Sequence, residues 1–151
     1  MLQIILAPII FYLGVNVAYY LLFSVASKLR VRSSADTNEA PSKMAVFIPA
    51  YKEDAVIFDT ASKALRQDYP SECYDVVVIA DSLQDDTLKN LSTLPIEVVQ
   101  VSFEKSTKTK ALNEAMKQLD HSYHVAVVLD ADNVMEDKFL QKVNVEYRAG
   151  Y

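Results

Sequence analysis

Two carboxylates two residues apart, Asp130 and Asp132, close an apolar run that passes from His124 through Val125, Ala126, Val127, Val128 and Leu129. A β-branched and aliphatic run that stops abruptly at acids reads as a strand buried on both faces, delivering carboxylates to the rim of a parallel sheet. That rim is where open α/β sheets bind ligands. Both acids can turn toward one hard cation, and Ala131 between them is too small to obstruct a diphosphate held by that cation. The competing reading of the same residues is structural, with Asp130 ending a strand and Asp132 or Asn133 capping the next helix.

Other segments decide between the two. The chain has glycine only at Gly14 and Gly150, so neither a Gly-x-Gly-x-x-Gly turn nor a glycine-rich phosphate loop exists. A phosphate here must be met by a metal ion and by side chains. Asp130, Asp132 and the lysines near residue 108 are the groups available.

The elements that carry these groups follow from alternating patterns. Met44 to Pro49 reads as a short strand and Asp54 to Gln67 carries helical spacing. Asp68 to Ser71 is a turn, and Tyr74 to Asp81 is a second strand around Val76, Val77, Val78 and Ile79. A helix from about Asp85 to Ser92, a strand from Ile96 to Val101, a helix from about Lys108 to Leu119, the central strand and a last helix from about Glu136 to Arg148 complete it. Strands alternating with helices predict βαβ units and a parallel, Rossmann-like α/β sheet. Asp85 or Asp86 is expected as a helix cap, and His121 and His124 as structural or exposed residues away from the rim.

The N-terminal part is different in kind. No charged residue occurs from Met1 to Ser27, a run long enough to cross ~30 Å of hydrocarbon as a helix, and Lys28, Arg30 and Arg32 follow at once. Basic residues favour the cytoplasmic side, which predicts a single membrane span over residues 1–29 with the globular part in the cytosol. A cleaved signal peptide would need a basic segment before the apolar run, and none is present. Residues 30–42 are polar and without apolar period, the pattern of a juxtamembrane linker, leaving residues 43–151 as one modest domain. The net charge of −5 argues against nucleic acid as a partner. A lone cysteine, Cys73, allows no internal disulfide, in keeping with a reducing compartment, and is expected as a buried small hydrophobe.

Four segments in order, Val46 to Glu53, the strand ending in Asp81, Lys108-Thr109-Lys110-Ala111-Leu112-Asn113, and Asp130-Ala131-Asp132, resemble the family 2 glycosyltransferases. They are most similar to the membrane-bound synthases of β-linked polysaccharides. The resemblance runs from about Lys43 to Tyr151. It implies a GT-A fold and a hexosyltransferase-type enzyme that moves sugar from a nucleotide diphosphate, with UDP expected, to an acceptor hydroxyl using Mg²⁺ or Mn²⁺.

Residue by residue, the likeness implies that Pro49 and Ala50 keep the backbone close to the nucleoside. Tyr51 lies against the base, although an exposed loop tyrosine is the alternative. Glu53 sits near the nucleoside, or else only suits the N-terminus of the following helix. Asp81 accepts a base N–H, most simply from uracil, Lys108 meets the diphosphate, and Asn113 supports the site by hydrogen bonds. Asp130 approaches ribose and metal, and Asp132 binds the metal. Thr107 and Thr109 stand where relatives often have glycine, which makes this loop stiffer.

Relatives place the general base and a Trp-containing motif further downstream, and this chain has no Trp. The expectation is the N-terminal, donor-binding part of a longer enzyme, with little or no transfer activity by itself and its base beyond Tyr151. Two rivals use the same residues. A phosphatase of the haloacid dehalogenase type also puts Asp-x-Asp after a strand, but as the opening of its domain. A non-catalytic, membrane-tethered nucleotide-binding module would keep the donor site and lack a base.

Overall fold

The computed structural model describes residues 2–29, 40–119 and 122–150. Arg30, Arg32, most of the linker stretch, His121 and Tyr151 lie outside them. Two compact units form, one holding the N-terminal helix and the other the α/β fold. The first is α1, Leu2–Leu29, with Pro8 inside it. Leu6–Ala26 has mean hydropathy 1.9 and none of it is buried, so it is long and apolar enough to cross a membrane.

The second unit alternates as its patterning predicts. In chain order it comprises β1 (Met44–Tyr51), α2 (Ile57–Ala64), a 3₁₀ turn at Ser71–Cys73, β2 (Tyr74–Asp81) and α3 (Asp85–Leu91). β3 (Glu97–Val101), α4 (Lys108–Gln118), β4 (Val125–Val128) and α5 (Phe139–Arg148) follow. All pairings are parallel and the spatial order is β3-β2-β1-β4. The in-register pairing of Tyr51 with Asp81 ends β1 and β2 on one rung, so the loops that follow them leave the sheet side by side.

Each strand alternates its side chains between two helical layers. Met44, Val46 and Ile48 of β1 and Val76 and Val78 of β2 pack with Ile57, Ala61, Leu91 and Leu140, the inward residues of α2, α3 and α5. Ala45, Phe47, Val77, Ile79 and Val99 face the opposite way, onto Ala111, Ala115 and Leu119 on α4 and just beyond it. Burial of each large aliphatic side chain stabilises by roughly 1.5–3 kcal/mol, and Ile48, Ile57, Ile79, Leu91 and Leu140 are fully buried.

The central, doubly buried strand expected at His124 to Asn133 is not what forms. β4 is four residues long and lies at the sheet edge, beside β1. Ala126 and Val128 are exposed, Val128 to 47%, whereas Val125 and Val127 are half-buried. The cause is the position of α4. Its buried residues pack on β1, β2 and β3, and the same face of β4 is left uncovered among the described residues.

Two helices start later than their periodicity suggests. Glu53 to Val56 form a turn in which Glu53 O accepts from Ile57 N, and α5 begins only after the turn in which Glu136 O accepts from Phe139 N. Gln67 secures that second start by donating to Glu136 O and accepting from Leu140 N. Asp85 and Asp86 lie in the first turn of α3 without capping it; the backbone N–H of the cap residue Gln84 goes instead to Asp54, at 2.8 Å. Cys73 is half-buried in the 3₁₀ turn rather than fully enclosed. His124 is structural, as expected, its Nδ1 accepting from Lys43 N at 3.0 Å at the far end of the sheet.

Candidate functional site

Order β3-β2-β1-β4 reverses direction between β1 and β4. Crevices at the carboxyl ends of strands on either side of such a reversal are where open parallel sheets bind ligands. A cleft of about 370 Å³ opens there. β1 contributes Pro49, Ala50 and Tyr51, followed by Glu53; β2 contributes Ile79 and Asp81. Ser106, Thr107, Lys108 and Ala111 come from the start of α4, and Asp130, Ala131 and Asp132 from the turn after β4. Of the residues expected from sequence, all but Asn113 meet in this one wall. Asn113 lies further along α4 and exposed, outside the cleft, so the supporting role expected of it is not seen.

The floor is set by backbone that leaves the sheet sharply. Lys52 and Ser82, directly after β1 and β2, both adopt left-handed conformations with φ of 57° and 58°. Non-glycine residues visit this region rarely, and such residues gather where a site demands a particular turn. Lys52 N–H donates to Asp81 O at 3.1 Å, tying the two loops together. Tyr51 is 51% exposed, with the Lys52 ammonium 5.0 Å from its ring centroid, so one of its faces already carries a cation.

Asp81 is different, with only 2% of its surface exposed. Its Oδ1 accepts from the Ser82 hydroxyl at 3.0 Å and its Oδ2 from the Ser106 hydroxyl. A buried carboxylate held only by neighbouring hydroxyls still has acceptor capacity to offer a ligand.

The remaining part of the cleft is built from α4 and the acid turn. Thr107 caps α4, its hydroxyl oxygen accepting from Lys110 N at 3.3 Å, so the helix starts at the cleft with its unpaired N–H groups and positive dipole end there. Lys108, the first residue of α4, reaches across to Asp130 and forms an ion pair with its Oδ1. Asp132 is exposed and has no ion pair among the described residues. The turn that carries both acids is fixed from beneath: the buried Thr60 hydroxyl donates to Ala131 O at 2.6 Å, and Asn133 N donates to Asp130 O at 3.0 Å.

No group of three or more metal-binding side chains occurs among the described residues. Two carboxylates two residues apart nevertheless suit a hard cation that completes its shell with phosphate oxygens and water. The residues fit a metal shared with a ligand better than a metal held by protein alone.

Residues 41–147 match the sequence profile of the family described as Glycosyltransferase like family 2. The chain belongs to that family. Over 103 residues this family 2 chain is 26% identical to the poly(ribitol-phosphate) beta-N-acetylglucosaminyltransferase TarS of Staphylococcus aureus. That match covers 66% of the chain and 18% of TarS.

Among solved structures, the mannosyltransferase PcManGT from Pyrobaculum calidifontis, in complex with GDP-Man and Mn²⁺, superposes with a TM-score of 0.66 at 22% identity. That match covers 87% of the chain and 42% of the mannosyltransferase. Staphylococcus aureus TarS 1-349 superposes with a TM-score of 0.59 at 25% identity, covering 67% of the chain and 31% of that structure. The family 2 chain thus spans less than half the length of these relatives, and its sheet is that of a GT-A fold.

Two residues of the cleft and its support, Ser106 and Thr60, escaped sequence reasoning. Thr107 was expected in the loop beside Lys108, but Ser106 before it carried no signal for its contact with Asp81. Thr60 carries no local signal, because its partner is 71 residues away.

Proposed function

We propose that the chain is the donor-binding part of a membrane-anchored glycosyltransferase. Its donor is a nucleotide-diphosphate sugar, with UDP as the nucleotide, and the sugar goes to an acceptor hydroxyl in polysaccharide synthesis. One observation carries this reading. An acceptor-only carboxylate, an aromatic ring, a lysine at a helix N-terminus and two acids two residues apart line a single cleft at the strand ends.

Each group has a task its chemistry suits. Tyr51 offers an apolar face to the base, while Pro49 and Ala50 let the nucleoside approach the backbone. Asp81 accepts the ring N–H of uracil, and Glu53 lies beside the nucleoside. Lys108 and the N-terminus of α4 meet the diphosphate. Asp132 and Asp130 would hold Mg²⁺ or Mn²⁺, which when bound offsets the charge that builds on the departing nucleotide diphosphate. The PcManGT structure, with GDP-Man and Mn²⁺, lends support to a cation on this fold.

Transfer breaks the bond between the sugar carbon and the phosphate oxygen and forms one to the acceptor oxygen, whose proton must pass to a base within hydrogen-bond reach. The carboxylates of this cleft serve the donor, so the cleft accounts for donor binding and not for that base. The apolar span Leu6–Ala26 would anchor the fold, with Lys28, Arg30 and Arg32 keeping it in the cytosol.

Titration calorimetry on the full chain in detergent tests the reading. UDP should bind with Mg²⁺ or Mn²⁺ present and lose nearly all affinity with excess chelator. Equal affinity in both conditions would overturn it.

A further inference from the structure

Asp81 meets two hydroxyls that donate to no other group among the described residues. Ser82 is its own neighbour and donates to Oδ1. Ser106 comes from the segment between β3 and α4, 25 residues along the chain, and donates to Oδ2 while lining the cleft itself. A hydroxyl has one proton to give and two acceptor positions. With that proton committed to Asp81, Ser106 Oγ turns only acceptor character toward the cleft, as Asp81 does. This part of the wall is therefore built to receive donors.

We propose that Ser106 is a specificity-determining residue of the cleft. It fixes the carboxylate of Asp81 and adds an acceptor beside it, selecting a nucleotide whose base presents a ring N–H and rejecting one that presents a bare ring nitrogen at that edge. The inference rests on the reading of Asp81 as the residue that meets the base, and adds to it a second residue and a mechanism.

The terminal torsion of an aspartate is broad, so with Ser82 on Oδ1 as its remaining hydroxyl partner the carboxylate turns more easily once Oδ2 is released. A uracil N–H then has to order it on binding, which weakens UDP. A cytosine, whose ring nitrogen is repelled by a fixed carboxylate, gains because that carboxylate turns away. Loss of Ser106 thus narrows the preference from both sides, whereas a residue that merely anchors the loop would affect both nucleotides alike.

The test measures UDP and CDP affinities, each with Mg²⁺, on the full chain in detergent. The unmodified chain should prefer UDP. Ser106→Ala should reduce the UDP/CDP ratio roughly five- to tenfold, and Ser106→Thr, which keeps the hydroxyl, should retain the ratio within about twofold. Ser106→Cys, a weaker donor of similar size, should also lower it, and guards against an alanine variant that loosens the fold.

A ratio unchanged in the alanine and cysteine variants, with both affinities falling together, overturns the role of Ser106 and leaves Asp81 as base reader intact. An unmodified chain that binds UDP and CDP equally overturns the Asp81 reading, and this inference with it.

Discussion

The ammonium of Lys108 and the carboxylate of Asp130 pair across the mouth of the cleft, joining the first residue of α4 to the turn after β4. Their side chains are 50% and 55% exposed, so the pair stabilises the fold by no more than ~1 kcal/mol. Under the proposed function it has a different use: a cation would take Asp130 while a phosphate would take Lys108, and one ion pair would be exchanged for two.

Lys108→Met should therefore act with opposite signs on two ligands. Mn²⁺ alone should bind about two- to fivefold more tightly, because Asp130 loses a competing cation. UDP with Mn²⁺ should bind at least roughly tenfold more weakly, because a charged phosphate contact is gone. Calorimetry with each ligand separates the two; a variant in which both affinities fall would show that the lysine only shapes the turn.

Asp54 fastens the loop after β1 to the start of α3. Its carboxyl is held below the usual 3.8 by the Thr87 hydroxyl and by the backbone N–H of Gln84. A depressed folded-state value means the contribution is complete above the unfolded value and fades as pH falls through the folded one. Asp54→Ala should lower the melting temperature near neutral pH, and the gap to the unmodified chain should close as pH drops below about 4. A gap that persists unchanged in acid would assign the effect to packing.

Ser42 shows how a polar segment can end in the core. It is fully buried, its N–H donates to Asn144 Oδ1 at 3.0 Å and its carbonyl accepts from the Tyr69 hydroxyl at 2.8 Å, but its own Oγ has no partner. Ser42→Ala removes an unpaired buried hydroxyl and should stabilise by up to ~1 kcal/mol or leave stability unchanged. Asn144→Ala strands the Ser42 N–H and should cost ~1–3 kcal/mol. Urea unfolding of both variants decides; a destabilised Ser42→Ala would mean the hydroxyl does have a partner.

The orientation of α1 is checked in intact cells. With Cys73 replaced by Ser, a cysteine at position 34 should resist a membrane-impermeant maleimide until lysis. Labelling before lysis, or a mature chain without its first residues, would contradict a cytosolic fold behind a retained anchor.

What was readable in the sequence depended on how local the cause was. β2 was legible from Tyr74 to Asp81 because its aliphatic run is bounded by a turn and an acid, and the acids at the strand ends were legible for the same reason. The aliphatic run of β4 looks alike in a central or an edge strand, because burial on its second face depends on where α4 lies, and no periodicity records that. Thr60 and Ser106 escaped because a hydroxyl amino acid has no pattern of its own, and their partners lie 71 and 25 residues away. Asn113 was expected at the site from family likeness, and the helical turn it occupies carries it outside the cleft.

The position of β4 also has a consequence for how the cleft comes into being. β1, β2 and β3 are consecutive along the chain, whereas β4 reaches β1 across a separation of 81 residues, seen in the contact of Lys43 with His124. Distant closures cost more entropy and come later than near ones. A partly folded chain with three strands in place already owns Tyr51 and Asp81 but neither Asp130 nor Asp132. If the cleft binds as proposed, recognition of the base would precede capture of the cation during folding, and in refolding the cation-dependent step should appear together with protection of the β4 amides. Cation-dependent nucleotide binding would then report a chain that has finished folding.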